Sequence, residues 1–313
     1  MQDRRRPTDH PKQRVAHGQE SRPIGQPSTR QRSLGRRAAS SVFIWLISSR
    51  PAPARAAILV SAMLVARHEP VALQRDYYAR TAEHYDGMHE QIPHDIALGH
   101  VIGFITWLGA RSLLDTGCGT GWGLRVVGDA LPDLQVRGND PSRELLNVAS
   151  NRYGVPPDAL DCVGSERLPY ADEAFDVVVA TGVMHHVPRP DRVVEEMLRV
   201  ARQAVFVSDA NIYGGGSLPA RSVKRLLANA GLLRSAHRLC RGGHAWYYSD
   251  GDGVAWSYSV YDSLKQIRTA CADVLVIPTD RSDPRSAMNP LRWSAHGLLC
   301  GFKKPLPRPA VER

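Results

Sequence analysis

One run of ten residues, Ser112-Leu113-Leu114-Asp115-Thr116-Gly117-Cys118-Gly119-Thr120-Gly121, constrains this chain more than any other. It reads as a buried strand ending in an acid, followed by a glycine turn that opens a helix. Gly117, Gly119 and Gly121 have no Cβ and admit positive φ, so the backbone there can approach a ligand closely. The helix that follows aims its unpaired N–H groups at the same place. A second acid, Asp140, ends the next apolar run, residues 134–140. Its spacing is close to the roughly 20 residues at which a carboxylate meets ribose hydroxyls in doubly wound folds. Two strand ends are thereby expected to grip one nucleoside-like ligand. A tight strand-to-helix connection uses the same glycines for steric reasons alone, so the turn by itself leaves both readings open.

Elements alternate around that turn. Strands are expected at residues 112–115, 134–140, 160–163, 175–180 and 204–208, with helices at 119–130, 141–153 and 191–202 between them, a pattern that implies a parallel sheet. Residues 175–180 are apolar apart from Asp176, as central strands are. Pro141 suits a first helical position, with Leu145, Leu146 and Ala149 as the buried stripe. In the helix at 191–202, Val194, Met197, Leu198 and Ala201 are expected to face the core and Glu195 and Glu196 the solvent. A further helix at 222–230 is stopped by Gly231. The last apolar runs are 274–277 and 297–302. Upstream, residues 70–108 have a helical pattern, with Val71, Leu73, Tyr77, Tyr78 and Ala82 near one face and a break at Pro93.

Residues 242–261 hold two tryptophans and four tyrosines around Asp250-Gly251-Asp252-Gly253, a hairpin signal. So many aromatics on a hairpin are expected to cover something. Trp256 and Tyr258 are therefore candidates for an acceptor-pocket wall or lid, a dimer contact or satellite core being the alternative.

Charge separates the chain into parts. Residues 1–62 carry 12 Lys+Arg against 3 Asp+Glu, and the remainder is balanced, so the basic character of the whole belongs to its leader. This argues against a nucleic-acid-binding function for the rest. The leader is expected to be disordered or to precede a true start at Met63. Its apolar runs, 42–47 and 56–65, are too short to span a bilayer, so no stable membrane insertion is expected. Five cysteines without a CxxC pair suit reduced thiols and a cytoplasmic location. The histidines show no metal-ligand spacing, and no metal is expected.

The spelling Asp-Thr-Gly-Cys-Gly-Thr-Gly at 115–121 resembles the class I S-adenosylmethionine-dependent methyltransferases, and the resemblance continues beyond it. Residues 168–179, beginning Leu168-Pro169-Tyr170 and ending Phe175-Asp176-Val177-Val178-Val179, are similar to the "LPF…FDVVV" segment of the type 11 group. Met184-His185-His186-Val187 is similar to its "LHHV", and Glu196, Arg199 and Val200 to its "E…RV" helix. The resemblance implies an α/β fold: a Rossmann-like, doubly wound, seven-stranded sheet, mostly parallel with an antiparallel last strand. It would carry a helical cap at 63–110, a catalytic domain at 111–305 with the hairpin inserted at 242–261, and a tail at 306–313.

The resemblance further implies S-adenosylmethionine as cofactor. Asp115, Gly117 and Gly119 would surround its methionine part, Asp140 its ribose and Pro141 its adenine, with Thr181 also lining the site. The family's usual acid toward the adenine amino group falls at Gly164, a departure for which Ser165 or Glu166 are the candidate substitutes. His185 or His186 is a candidate general base or a packing residue. Tyr78, with Tyr77 and Tyr85 beside it, is a candidate aromatic contact. Asp209 and Asn211 are candidates for holding the acceptor or a divalent ion, although two oxygen ligands are too few to expect a metal. The Asn/Asp-Pro-Pro-Tyr/Phe run of base-methylating enzymes is missing after residue 180, which favours a small-molecule acceptor, methylated at oxygen or nitrogen. The alternatives are a dinucleotide-dependent reductase and a non-catalytic nucleotide-binding or partner-docking protein.

Overall fold

The computed structural model describes residues 69–88, 92–241, 243–280, 285 and 288–306. The basic leader, the start at Met63 and residues 307–313 of the tail lie outside them.

Seven strands form one sheet: β1 (Ser112–Thr116), β2 (Gln135–Asn139), β3 (Leu160–Asp161), β4 (Phe175–Thr181), β5 (Ala201–Ala210), β8 (Asp273–Pro278) and β9 (His296–Phe302). Their order is β3-β2-β1-β4-β5-β9-β8. The first five pair in parallel, and β9 runs antiparallel to both β5 and β8. This is the doubly wound sheet expected, ending in an antiparallel strand. The chain leaves β1 in one direction and returns to pair on its other side as β4, so a crevice opens at the carboxyl end of β1.

Successive side chains of a strand point to opposite faces, and the two cores follow that period of two. Leu113, Val177, Val179, Ala204 and Phe206 face one core. Leu114, Val178, Ala180, Val205 and Val207 face the other. The first is covered by helices α2 (Ile92–Leu108), α3 (Trp122–Ala130) and α4 (Arg143–Tyr153), the second by α5 (Pro190–Val200) and α8 (Leu264–Ala270).

Two expectations about helix faces need correction. Pro141 lies outside α4: Ser142 is the N-cap, its hydroxyl accepting from the Leu145 amide, because a serine oxygen satisfies an orphan N–H that proline cannot. Likewise Pro93 falls at the start of α2 rather than breaking a helix. Glu196 is no solvent-facing residue either. Its carboxylate accepts from the Leu168 amide at 2.7 Å and from Arg199, whose guanidinium also donates to the carbonyls of Leu168 and Tyr170. The "LPF" and "E…RV" signatures are thus two halves of one staple that holds the loop after β3 against α5. Helix α5 itself is shorter than expected, since Ala201 already belongs to β5.

Upstream of the sheet, α1 (Pro70–Thr81) and a short 3-10 turn, Ala82–Met88, form the cap. Val71 is exposed, and the buried face of α1 is made by Gln74 and Tyr77 instead. The aromatic insertion is a two-stranded hairpin, β6 (Trp246–Ser249) with β7 (Gly253–Trp256), Trp246 lying opposite Trp256. It packs on the cap. The Val254 amide donates to the Gln74 Oε1, and Gly253, at φ +68°, lies so close that a Cβ would meet that oxygen and the Tyr77 ring. Cap and hairpin are one unit contributed by distant stretches of chain, with α6 (Leu218–Asn229) and α7 (Leu233–Cys240) preceding the hairpin.

Replacing Glu196 with alanine leaves the Leu168 amide and Arg199 without their acceptor, an expected cost of about 1–3 kcal/mol. Urea unfolding measures it, and faster hydrogen exchange at Leu168 locates it; unchanged protection of that amide would contradict the staple.

Candidate active site

The glycine turn occupies the crevice at the end of β1. Gly117, Gly119 and Gly121 all have positive φ, at +75°, +54° and +79°. Their reasons differ from the simple expectation of ligand approach. A Cβ at Gly117 would meet Val183, and one at Gly121 would meet Ala149 of α4, so these two permit close packing of the protein on itself. Only Gly119 faces open space, with nothing within 4 Å of where a Cβ would stand. That position is where a ligand can lie against the backbone.

Two carboxylates border it. Asp140, almost fully buried, accepts from the Gly119 amide at 3.1 Å and the Ser142 amide at 2.8 Å, tying the turn to the start of α4. Burial raises its pKa to about 6 against the lowering effect of those two N–H groups. Asp115 is equally buried and accepts no hydrogen bond among the described residues. Burial, together with the charge of Asp140, raises its pKa to about 7. Two buried acids without a counter-charge disfavour ionisation, and a cation placed between them would reverse that.

Polar atoms without partners line the same carboxyl edge of the sheet. The hydroxyls of Thr116, Thr181 and Ser208 and the side-chain Oδ1 of Asn139 are all buried and without a hydrogen-bond partner among the described residues. Thr116, Asn139 and Thr181 end β1, β2 and β4, and Ser208 lies in β5 directly opposite Thr181. A row of unmet groups on four adjacent strands is what a polar ligand would satisfy. Pro141 is exposed beside them. Of the two candidates for the adenine side, Ser165 is buried, its hydroxyl 3.4 Å from the Asn139 amide nitrogen. Glu166 is exposed and accepts from the Arg189 amide at the entry to α5, a role in that helix rather than near Asn139.

The cap is latched over the turn by residues that sequence reasoning did not single out. Asp86 accepts from the Thr120 hydroxyl and, at 2.6 Å, from the Tyr153 hydroxyl, while Trp122 donates to Asp95. An acid in a short turn carries no signal of which distant hydroxyl it will meet. Tyr78 stands between Tyr77 and Tyr85, with ring centroids 5.6 Å from each and 6.4 Å from His186. Burial, and the charges of Asp140 and Asp252 on either side, push its phenol far above the usual range. Tyr78 thus lies near both the carboxylate of the glycine turn and a second polar cluster.

That cluster is built by the turn after β4. Asp209, fully buried at the end of β5, accepts from the Met184 and His185 amides and lies 2.8 Å from the His185 Nδ1. His186 Nδ1 lies 2.7 Å from the Val254 carbonyl of the hairpin. Asp252, in the hairpin loop, faces both rings. Burial opposes a charge on His185, but Asp209 and then Asp252 outweigh it and hold its pKa well above the ordinary value. The same partnership keeps Asp209 below the carboxylate range despite its burial.

The remaining candidates are engaged elsewhere. Asn211 is buried, donating to the Ser294 carbonyl and accepting from Tyr213 and Ser259. Tyr258 belongs to the second core, its hydroxyl 2.7 Å from Ser263. Both hold the loops behind the cluster. Trp256 is half-buried in the hairpin.

A mostly parallel sheet in this order, with its acids and glycine turn at the carboxyl edge, defines a Rossmann-like domain of the class I methyltransferase kind. Residues 114–207 match the family model described as a methyltransferase domain. The chain carries a class I S-adenosylmethionine-dependent methyltransferase domain. Among curated relatives, methyltransferase GfsG of Streptomyces halstedii is 34% identical over 132 residues, 40% of this chain and 42% of that protein. Phosphatidylethanolamine N-methyltransferase of Cereibacter sphaeroides is 34% identical over 120 residues, 37% of this chain and 58% of that protein. The match thus spans about half the length of these relatives. A solved magnesium protoporphyrin IX methyltransferase from Synechocystis PCC 6803 aligns over 75% of this chain and all of that one, at 15% identity and TM-score 0.48.

S-adenosylmethionine carries a sulfonium and an ammonium, and bound here it would supply the positive charge that Asp115 and Asp140 lack. Its affinity is expected to hold above pH 7 and to fall as the pH drops through about 7 to 6, where these carboxyls take up protons. Calorimetry across that range checks it, and Asp115→Asn should weaken binding by at least about tenfold and flatten the pH dependence. In the ligand-free protein the sign is opposite: a raised carboxyl pKa means stability declines as pH rises from about 4 to 7. The same variant should therefore not lower the melting temperature at neutral pH.

Proposed function

We propose that this protein transfers the methyl group of S-adenosylmethionine to a small-molecule acceptor bearing an O–H or N–H, with the acceptor held beneath the cap and hairpin. The observation that carries the reading is the convergence of His185, His186 and Asp252 on one point, with the Tyr78 ring beside His186. Donor and acceptor sites are thereby adjacent, with aromatic rings between them that attract a sulfonium.

Methyl transfer is an in-line displacement, and most of the acceleration comes from holding the two partners in line. The acceptor heteroatom attacks the methyl carbon, the carbon–sulfur bond breaks with its electron pair going to sulfur, and S-adenosylhomocysteine leaves. The acceptor's proton passes to the His186 Nε2, beside which Asp209 fixes the neighbouring His185 ring. Asp115 and Asp140 hold the donor, Pro141 and Ser165 border its adenine, and Thr181 lies at the strand end beneath it. Trp256 forms part of the hairpin that excludes water. The relative named for phosphatidylethanolamine methylation acts at nitrogen, and the cluster described here suits either heteroatom.

Incubation with labelled S-adenosylmethionine and metabolite fractions should give products one methyl group heavier. His185→Gln should lower kcat by about a hundredfold or more while S-adenosylhomocysteine binding stays within about twofold. Equal losses in both would place His185 in the donor site instead. No binding of S-adenosylhomocysteine at millimolar concentration would favour a non-catalytic docking protein.

A further inference from the structure

The polar cluster beneath the hairpin has a geometry beyond proton transfer. The Nδ1 atoms of both histidines are committed, one to the Asp209 carboxylate at 2.8 Å and the other to the Val254 carbonyl at 2.7 Å. A carboxylate and a carbonyl only accept, so each ring keeps its Nδ1 proton and turns Nε2 toward Asp252. His185 Nε2 lies 3.6 Å from Asp252 Oδ2 and His186 Nε2 3.3 Å from Asp252 Oδ1, and the three donors fall within 4.8 Å of one another. Around an ion with ligand distances of about 2.0–2.2 Å, neighbouring tetrahedral ligands stand about 3.3–3.5 Å apart. The two histidine-to-Asp252 separations already match that spacing.

We infer that His185 Nε2, His186 Nε2 and Asp252 form a binding site for one divalent transition-metal ion, with Zn2+ the fitting probe. This departs from the expectation of no metal, which was drawn from spacing along the chain. Two ligands are consecutive and the third is supplied 66 residues later by the hairpin loop, so no motif announces it. The surroundings have the form of a metal site. Histidine ligands ordinarily donate their other N–H to a carboxylate or a backbone carbonyl, which fixes tautomer and ring orientation, and here Asp209 and Val254 supply one of each. Asp209 is in turn fixed by the Met184 and His185 amides. Imidazole and carboxylate together suit zinc and its neighbours in the first row.

Three protein ligands leave a fourth position for an exchangeable group, as in catalytic rather than structural zinc sites. An acceptor oxygen bound there would lose its proton more readily, its lone pair remaining directed at the methyl carbon. That consequence rests on the proposed methyl transfer; the binding of the ion does not. Because the ligands come from both the core and the hairpin, the ion would also clip the hairpin to the body of the domain.

The test uses tag-free full-length protein, stripped with chelator and desalted, and titrated with Zn2+ by calorimetry and with Co2+ by absorption spectroscopy. One ion per chain, an intense tetrahedral Co2+ spectrum and a raised melting temperature with Zn2+ are expected. His186→Ala and Asp252→Ala should each weaken binding by more than about a hundredfold and abolish the thermal shift. Both should still bind S-adenosylhomocysteine, which shows them folded. Absence of saturable binding, or affinity unchanged in both variants, overturns the site: the cluster then holds a proton only, or the ion sits on histidines elsewhere. Saturable metal binding without S-adenosylhomocysteine binding would instead overturn the methyltransferase reading and leave the metal site standing.

Discussion

The structure turns on a buried negative charge that the protein does not neutralise by itself. Asp140 gives its two oxygens to the Gly119 and Ser142 amides and so fixes the glycine turn to the first turn of α4. Asp115 has no such partner, and its ionisation beside Asp140 is resisted by burial and by like charge. A protein interior tolerates such a pair at a site where a ligand completes it. The open space above Gly119 and the hydroxyls along the strand ends that lack partners among the described residues adjoin that pair. The packing of both cores serves mainly to bring these strand ends into one line.

Much of this was legible in the sequence because it depends on neighbours in the chain. The glycine turn, Asp115 and Asp140 follow strands whose apolar runs are easily read, and β4 announces itself by four apolar residues between Asp176 and Thr181. The hairpin was visible in Asp250-Gly251-Asp252-Gly253, a turn that only a few residues make well. What was not legible depends on pairs far apart. Glu196 looks like a solvent-facing acid until Leu168 is placed beside it, 28 residues away. Asp252 looks like a turn residue until the fold sets it against His185 and His186. Asn211 and Tyr258 carry polar groups at the right strand ends, yet those groups are consumed by local loops, which periodicity does not reveal.

The cap and the hairpin look from the sequence like separate additions to a common domain. Their contact, from Gln74 to Val254 with Gly253 pressed against Tyr77, makes them halves of one cover. The same cover holds Tyr78 against Tyr77 and Tyr85 and beside His186, so the cap contributes an aromatic side to the histidine cluster.

Gln74 thereby ties the hairpin to the cap. The hairpin cannot lift away from the histidines without either breaking its backbone bond to that amide or dragging α1 along. Since the turn that follows α1 is pinned through Asp86 to Thr120, any such displacement pulls on the glycine loop as well. Hairpin and glycine loop, remote in the chain, are thus yoked through two hydrogen bonds and the cap between them, so that strain applied to one is felt by the other.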